Sequence, residues 1–90
     1  MIVDTITVTT AGTRVQSGKS GTVKSVLAKA RSTNTGPVYV GVSDVASTVG
    51  VELVPGEAIT FTFKTAGKMK DFYADSDNNS DKVDLFGDNS

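Results

Sequence analysis

Apolar and polar positions alternate along most of this chain. In residues 58–64, Ile59, Phe61 and Phe63 fall on one side, with Thr60, Thr62 and Lys64 on the other. A period of two marks a strand with one face on a core and one toward solvent. The same alternation recurs in residues 5–9 (Ile6, Val8), 38–43 (Val38, Val40, Val42), 51–54 (Leu53), 70–75 (Phe72, Ala74) and 82–86 (Val83, Leu85). Residues 13–16 read as a short edge strand. Gly41, opposite the valines, marks a bulge or a close backbone approach.

Residues 23–30 are the ambiguous stretch, because Ala, Leu, Lys and Arg also suit a helix. No capping box precedes them, and Val26, Ala28 and Ala30 alternate with Leu27, Lys29 and Arg31. The segment therefore reads as a strand. A pleat irregularity near Ser25 lets Val23 and Val26 both face inward. The core expected from these patterns is Val26, Val38, Val40, Leu53, Ile59, Phe61, Phe63, Phe72 and Leu85.

Turn residues separate the runs: Ala11-Gly12, Ser17 to Gly21, Ser32 to Pro37, a loop over 44–50, Pro55-Gly56, and Thr65 to Lys68. About seven or eight short strands at this spacing predict an all-β fold, a small antiparallel β-sandwich that is jelly-roll-like. Residues 1–90 form one domain, with residues 1–10 an arm or edge strand and residues 87–90 a tail. The Thr-rich, alternating N-terminal stretch is expected to join an interface through Ile2, Val3, Ile6 and Val8.

Ninety residues support one thin core. The chain has no cysteine and no histidine, so disulfides, thiolate metal sites, a Ser-His-Asp triad and histidine acid–base chemistry are excluded. No basic and apolar leader opens the sequence, and no apolar run approaches membrane-spanning length. The expectation is a protein made in the cytoplasm with no membrane contact. Net charge is −1, but residues 1–70 carry eight basic against four acidic side chains, while residues 71–90 carry six Asp against Lys82. Such polarity reads first as a solvated polar edge, and otherwise suits docking head to tail or against a charged partner surface.

The stretch ADSDNNSDKVD, beginning at Ala74, puts Asp75, Asp77, Asn79 and Asp81 at alternate positions, the spacing of oxygen ligands in a calcium loop. Ser80 stands at the sixth position, where such a loop has Gly, and Phe86 at the twelfth, where it has a bidentate Glu. The reading is a polar turn with Asn78-Asn79 at positive φ, no bound metal and no cofactor, and these four residues remain the weak ion candidates. Gly18-Lys19-Ser20 lacks the first Gly of a phosphate-binding loop and precedes strand residues. The basic positions lack interleaved aromatics, which disfavours nucleic acid. Tyr39 and Tyr73 read first as packing at the edge of the core, and otherwise as candidate contacts for a neighbouring subunit or a sugar.

The run SVLAKARSTNTGPVYVGVSDVASTVGVELVPGEAITFTF, followed by MKDFYADSDNNSDKVDLF, resembles small β-sandwich proteins of bacteriophage particles. The likeness lies in a strand like SVLAKA entering the turn STNTG, a strand like VYVG, the approach GVELVPGE to AITFTF, and a strand like DFYADSD. It spans roughly residues 5–86 and is weakest up to Gly21. It implies a non-enzymatic virion protein: a capsid decoration (cement) protein or head-fibre component, forming homotrimers and binding the phage major capsid protein. Alternatives are a tail or receptor-binding module recognising carbohydrate, and a small nucleic-acid-binding or regulatory barrel.

Overall fold

Alternation becomes architecture once each run finds a partner that buries the same face. The computed structural model describes residues 1–42 and 50–88. Among the described residues there are eight strands: β1 (Ile2–Val8), β2 (Val15–Gln16), β3 (Thr22–Ala30), β4 (Val38–Gly41), β5 (Val51–Leu53), β6 (Ala58–Lys68), β7 (Tyr73–Ser76) and β8 (Asp81–Asp88). They form two four-stranded antiparallel sheets, ordered β1-β8-β3-β6 and β2-β7-β4-β5. The pairs are nested: β1 with β8, β2 with β7, β3 with β6 and β4 with β5. The chain is thus a long hairpin wound on itself, with its apolar faces turned inward.

One core lies between the sheets. Ile6, Val8, Val23, Val26, Ala28, Ala30, Val83 and Leu85 come from the first sheet, and Val38, Val40, Leu53 and Ala74 from the second. The irregularity near Ser25 is present. Pairing shifts register between Val23, opposite Gly67, and Ser25, opposite Thr62, so Val23 and Val26 are both buried.

Several expectations are corrected. Of the arm or edge strand expected over residues 1–10, the edge strand is the one found: Ile2–Val8 lies at the sheet edge and pairs along its length with β8, while Ile6 and Val8 lie in the core rather than at an interface. Ile59, Phe61 and Phe63 point inward but are only half-buried, because β6 is a sheet edge. Residues 65–68 extend β6 instead of turning. Phe63 lies over Gly67, where a Cβ would stand 2.7 Å from its ring. A 3₁₀ turn, Met69–Asp71, replaces the start of the strand expected from residue 70. It buries Met69 completely, and the Met69 N–H bonds the carbonyl of Gly21. Gly87 and Asp88 belong to β8 rather than a tail. Strand β4 stops at Gly41, and of the loop expected over 44–50 all but Gly50 lies outside the described residues.

Phe72 closes the core from above. Its ring meets Phe61 edge-on at a centroid distance of 5.4 Å and Phe63 at 6.0 Å. These contacts hold the inward side chains of the edge strand β6 in an arrangement that aromatic quadrupoles favour.

Candidate functional site

The acidic stretch forms the end of β7, a tight turn and the start of β8. Its oxygens do not converge. The Asp75 carboxylate is buried and accepts the N–H groups of Gly12 (3.0 Å) and Ser76 (2.8 Å). Asn79 Oδ1 accepts the Ala11 N–H at 2.8 Å. These two side chains tie the β1–β2 connection to the sandwich. Asp81, also buried, accepts the N–H groups of Thr35 (2.8 Å) and Gly36 (3.1 Å), and so holds the β3–β4 connection. Asn34 completes that clasp, donating to the Lys82 carbonyl and accepting the Lys82 N–H. Asp77 takes the Tyr39 hydroxyl at 2.8 Å.

Four residues spaced like calcium ligands therefore staple different neighbours. Among the described residues, no group of three or more acidic side chains is placed to hold a metal ion. Positive φ falls on Ser80 (φ 68), not on Asn78 or Asn79. Ser80 supplies the sharp turn, and its N–H bonds the Val8 carbonyl. A second staple of the same design joins Asp4 to the β2–β3 loop: its Oδ2 accepts the buried Ser17 hydroxyl and the Gly18 N–H. Every buried side-chain polar atom among the described residues has a partner, as a low-dielectric interior demands. The Gly18-Lys19-Ser20 loop leads into strand β3, not into the helix a phosphate loop requires.

Tyr39 follows the reading as a core-edge residue rather than the one as an interface residue. Val38 and Val40 take the core face of β4, so Tyr39 points outward, yet it is only 6% exposed. It lies opposite Glu52 on β5 and Asp75 on β7. The hydrogen bond to Asp77, with burial and the surrounding carboxylates, pushes its pKa up to about 12. The folded state holds this proton more tightly than the unfolded chain, whose tyrosine titrates near 10.0. That stabilisation is complete below the unfolded value and is lost as pH rises toward the folded one. An ultraviolet titration is expected to show a tyrosine step at about pH 12 that Tyr39→Phe removes. A wild-type titration with no step at that pH would contradict the Tyr39–Asp77 bond.

Tyr73 is half-buried beside an open cleft of about 280 Å³, lined with Gln16, Val42, Lys70 and Asp71. Gln16 spans it, donating to the Lys70 carbonyl at 2.8 Å.

The outer face of the first sheet was not singled out by the sequence reading. Register places Val3 opposite Phe86, Phe86 opposite Leu27 and Leu27 opposite Thr60, in one row across four strands. Val3 is 50% exposed and Leu27 37%, while Phe86 is half-buried. The next row holds Thr5, Asp84, Lys29 and Ala58. There Arg31 bonds Asp84 twice, at 2.8 and 3.1 Å, and Thr5 donates to the same carboxylate. The Arg31 bond, with Thr5 and the nearby Lys29, holds the Asp84 carboxyl below its ordinary range. Phe86 was noted only for failing a calcium-loop position. The signal for the row was present in Val3, Leu27 and Phe86, the large apolar residues on strand positions that should face water.

No family model, curated protein or solved structure matches this chain.

Proposed function

We propose that this chain is a non-enzymatic structural protein of a bacteriophage particle, a capsid decoration (cement) protein or head-fibre component that binds the outer shell. The observation that carries this reading is the open edge of β6. Residues 58–63 bear no charge and no proline, and no described strand pairs beyond them. Their inward aromatic side chains are half-buried. Edges left in this state pair with a strand of another chain, by backbone hydrogen bonds plus pockets for alternate side chains. Asp75 and Asp81, which suggested chemistry in the sequence, are committed to loop staples and Asp77 to Tyr39, which favours an assembly role. The nested strand pairing agrees with jelly-roll winding, and the resemblance to phage sandwich proteins supplies the setting.

The test is the copy number of this protein in purified particles, by quantitative mass spectrometry. Hundreds of copies in a simple ratio to the major capsid protein are expected. A handful of copies would move the protein to the tail, and none would overturn the particle reading.

One observation favours a second reading. The cleft beside Tyr73 joins an aromatic face to the polar groups of Gln16 and Asp71, a combination suited to a sugar. A tail module recognising carbohydrate would show selective binding on a glycan array that Tyr73→Ala abolishes.

A further inference from the structure

We infer that two copies of this chain join edge to edge, β6 against β6, antiparallel about a twofold axis at Phe61. This rests on the same open edge as the assembly reading above and names the strand that covers it. Among the described residues the other three sheet edges are protected. β2 has two residues, and β5 has three with Pro55 close behind. β1 carries Asp4, whose carboxylate draws the β2–β3 loop against it. Short strands, prolines and charges are how edges are kept from pairing. Residues 58–63 of β6 have none of these.

The ladder with β3 fixes which backbone groups the edge offers. The Ala30 N–H donates to the Glu57 carbonyl at 2.8 Å, so these two form a hydrogen-bonded pair. Antiparallel ladders alternate such pairs with non-bonded ones. Phe61 and Ile59, opposite Val26 and Ala28, therefore turn their backbone groups toward β3. Ala58, Thr60 and Thr62 turn theirs outward. The run Ala58-Ile59-Thr60-Phe61-Thr62-Phe63-Lys64 reads nearly alike in both directions from Phe61. Thr60 and Thr62 flank it, with Ile59 and Phe63 beyond. A twofold contact needs this symmetry, because residue i meets j and j meets i. That argues for a second copy as the occupant.

With the axis at Phe61, Thr60 lies opposite Thr62 of the second copy, twice, and both offer outward backbone groups. On the inner face Ile59 packs on Phe63, and the two Phe61 rings meet beside the Phe72 that each already touches. Cross-strand Thr–Thr and aromatic pairs stabilise a sheet. Ala58 faces Lys64 at the margins, so no like charges meet. An axis at Thr60 would set Phe63 against Glu57. An axis at Thr62 would run the new ladder two residues further into the stretch where β6 has left its ladder with β3. An edge about 23 Å long and about 10 Å thick offers about 230 Å². A stable interface buries about 800 Å² per partner, so the association is weak and concentration-dependent. Its affinity comes mostly from about eight backbone hydrogen bonds. It closes at two chains, not the three implied by the resemblance.

Sedimentation velocity across a concentration series tests the pairing, and engineered thiols test its register. The wild type is expected to pass from one to two chain masses as concentration rises. Thr60→Lys combined with Thr62→Lys sets like charges opposite each other twice, and should raise the dissociation constant at least about tenfold. Both threonines are exposed, so the variant keeps its fold, which its thermal midpoint checks. The chain has no cysteine of its own. A mixture of Thr60→Cys and Thr62→Cys chains should form a mixed disulfide faster than either forms one with itself. Only the mixed pair brings its Cα atoms within the disulfide range of about 4.4–6.8 Å. Monomer at every concentration, a three-chain mass, a lysine variant associating like the wild type, or self-disulfides as fast as mixed ones would each overturn the inference. Hundreds of copies on the particle with a monomeric free protein would sink the pairing and leave the particle reading standing. A dimer of a protein absent from particles would do the reverse.

Discussion

Leu85→Ala is expected to destabilise the domain by about 3 kcal/mol, whereas Phe86→Ala, one position along the same strand, costs below about 1 kcal/mol. Leu85 is completely buried at the centre of the core, between β1 and β3. Truncation there leaves a cavity in a sandwich that has no disulfide to hold its sheets together. A domain of this size has about 5–10 kcal/mol of stability, so a large share of it is lost. Its melting midpoint should fall by about 12–24 °C. Phe86 stands on the solvent face of the first sheet, and its removal leaves the core intact. Urea denaturation of both variants reads the difference. Equal losses would mean that the inward and outward faces of β8 are misassigned.

The second large effect belongs to a polar side chain. Asp81→Ala is expected to cost about 2–3 kcal/mol, nearly as much as the core truncation, because it strands the N–H groups of Thr35 and Gly36 without an acceptor. The midpoint should fall by about 10–20 °C. The damage is local in origin, since the β3–β4 connection loses its clasp to β8. Proteolysis near residues 33–36 should therefore quicken before global unfolding does. Millimolar calcium should leave the wild-type midpoint unchanged. A rise of several degrees would show an ion bound to the folded state and would reinstate these carboxylates as ligands. Thermal melts with and without Asp81→Ala, each with calcium or a chelator, separate the two roles.

These two residues also show what the sequence made legible. Leu85 could be placed in the core because alternation on β8 is regular, and a sheet face answers to period two whatever lies beside it. Val23 and Val26 could both be turned inward because three residues apart is impossible without an irregularity, and one was required. The all-β sandwich followed from such local patterns. The degree of burial of Ile59, Phe61 and Phe63 did not, since it depends on β6 lying at an edge, and strand order leaves no trace in alternation. Met69 escaped because it sits in a turn-like stretch, and its burial comes from distant Gly21 and Gly87. Tyr39 was legible as packing at the core edge but not as a side chain tied to Asp77, because that partner lies 38 residues away.

The acidic stretch was the least legible part. Alternate Asp and Asn serve equally as ion ligands or as acceptors for loop N–H groups. The partners that decide between the two lie 46 residues away for Thr35 and 68 for Ala11. No local signal carries that information. What could be read was the failure at Ser80 and Phe86 to complete a calcium loop.

The nested pairing has a practical side. Ile2 lies opposite Gly87 across the β1–β8 ladder, so the two ends of the fold sit side by side. A short peptide joining them would bridge neighbouring strands without crossing the sandwich, and the chain can then be reopened at an exposed loop such as Gly18 to Ser20. Such a circularly permuted chain keeps every ladder while moving both ends to the β2–β3 loop. A cargo fused before β1 or after β8 would instead emerge at one shared corner, the corner where Met1 and Val3 border the apolar row.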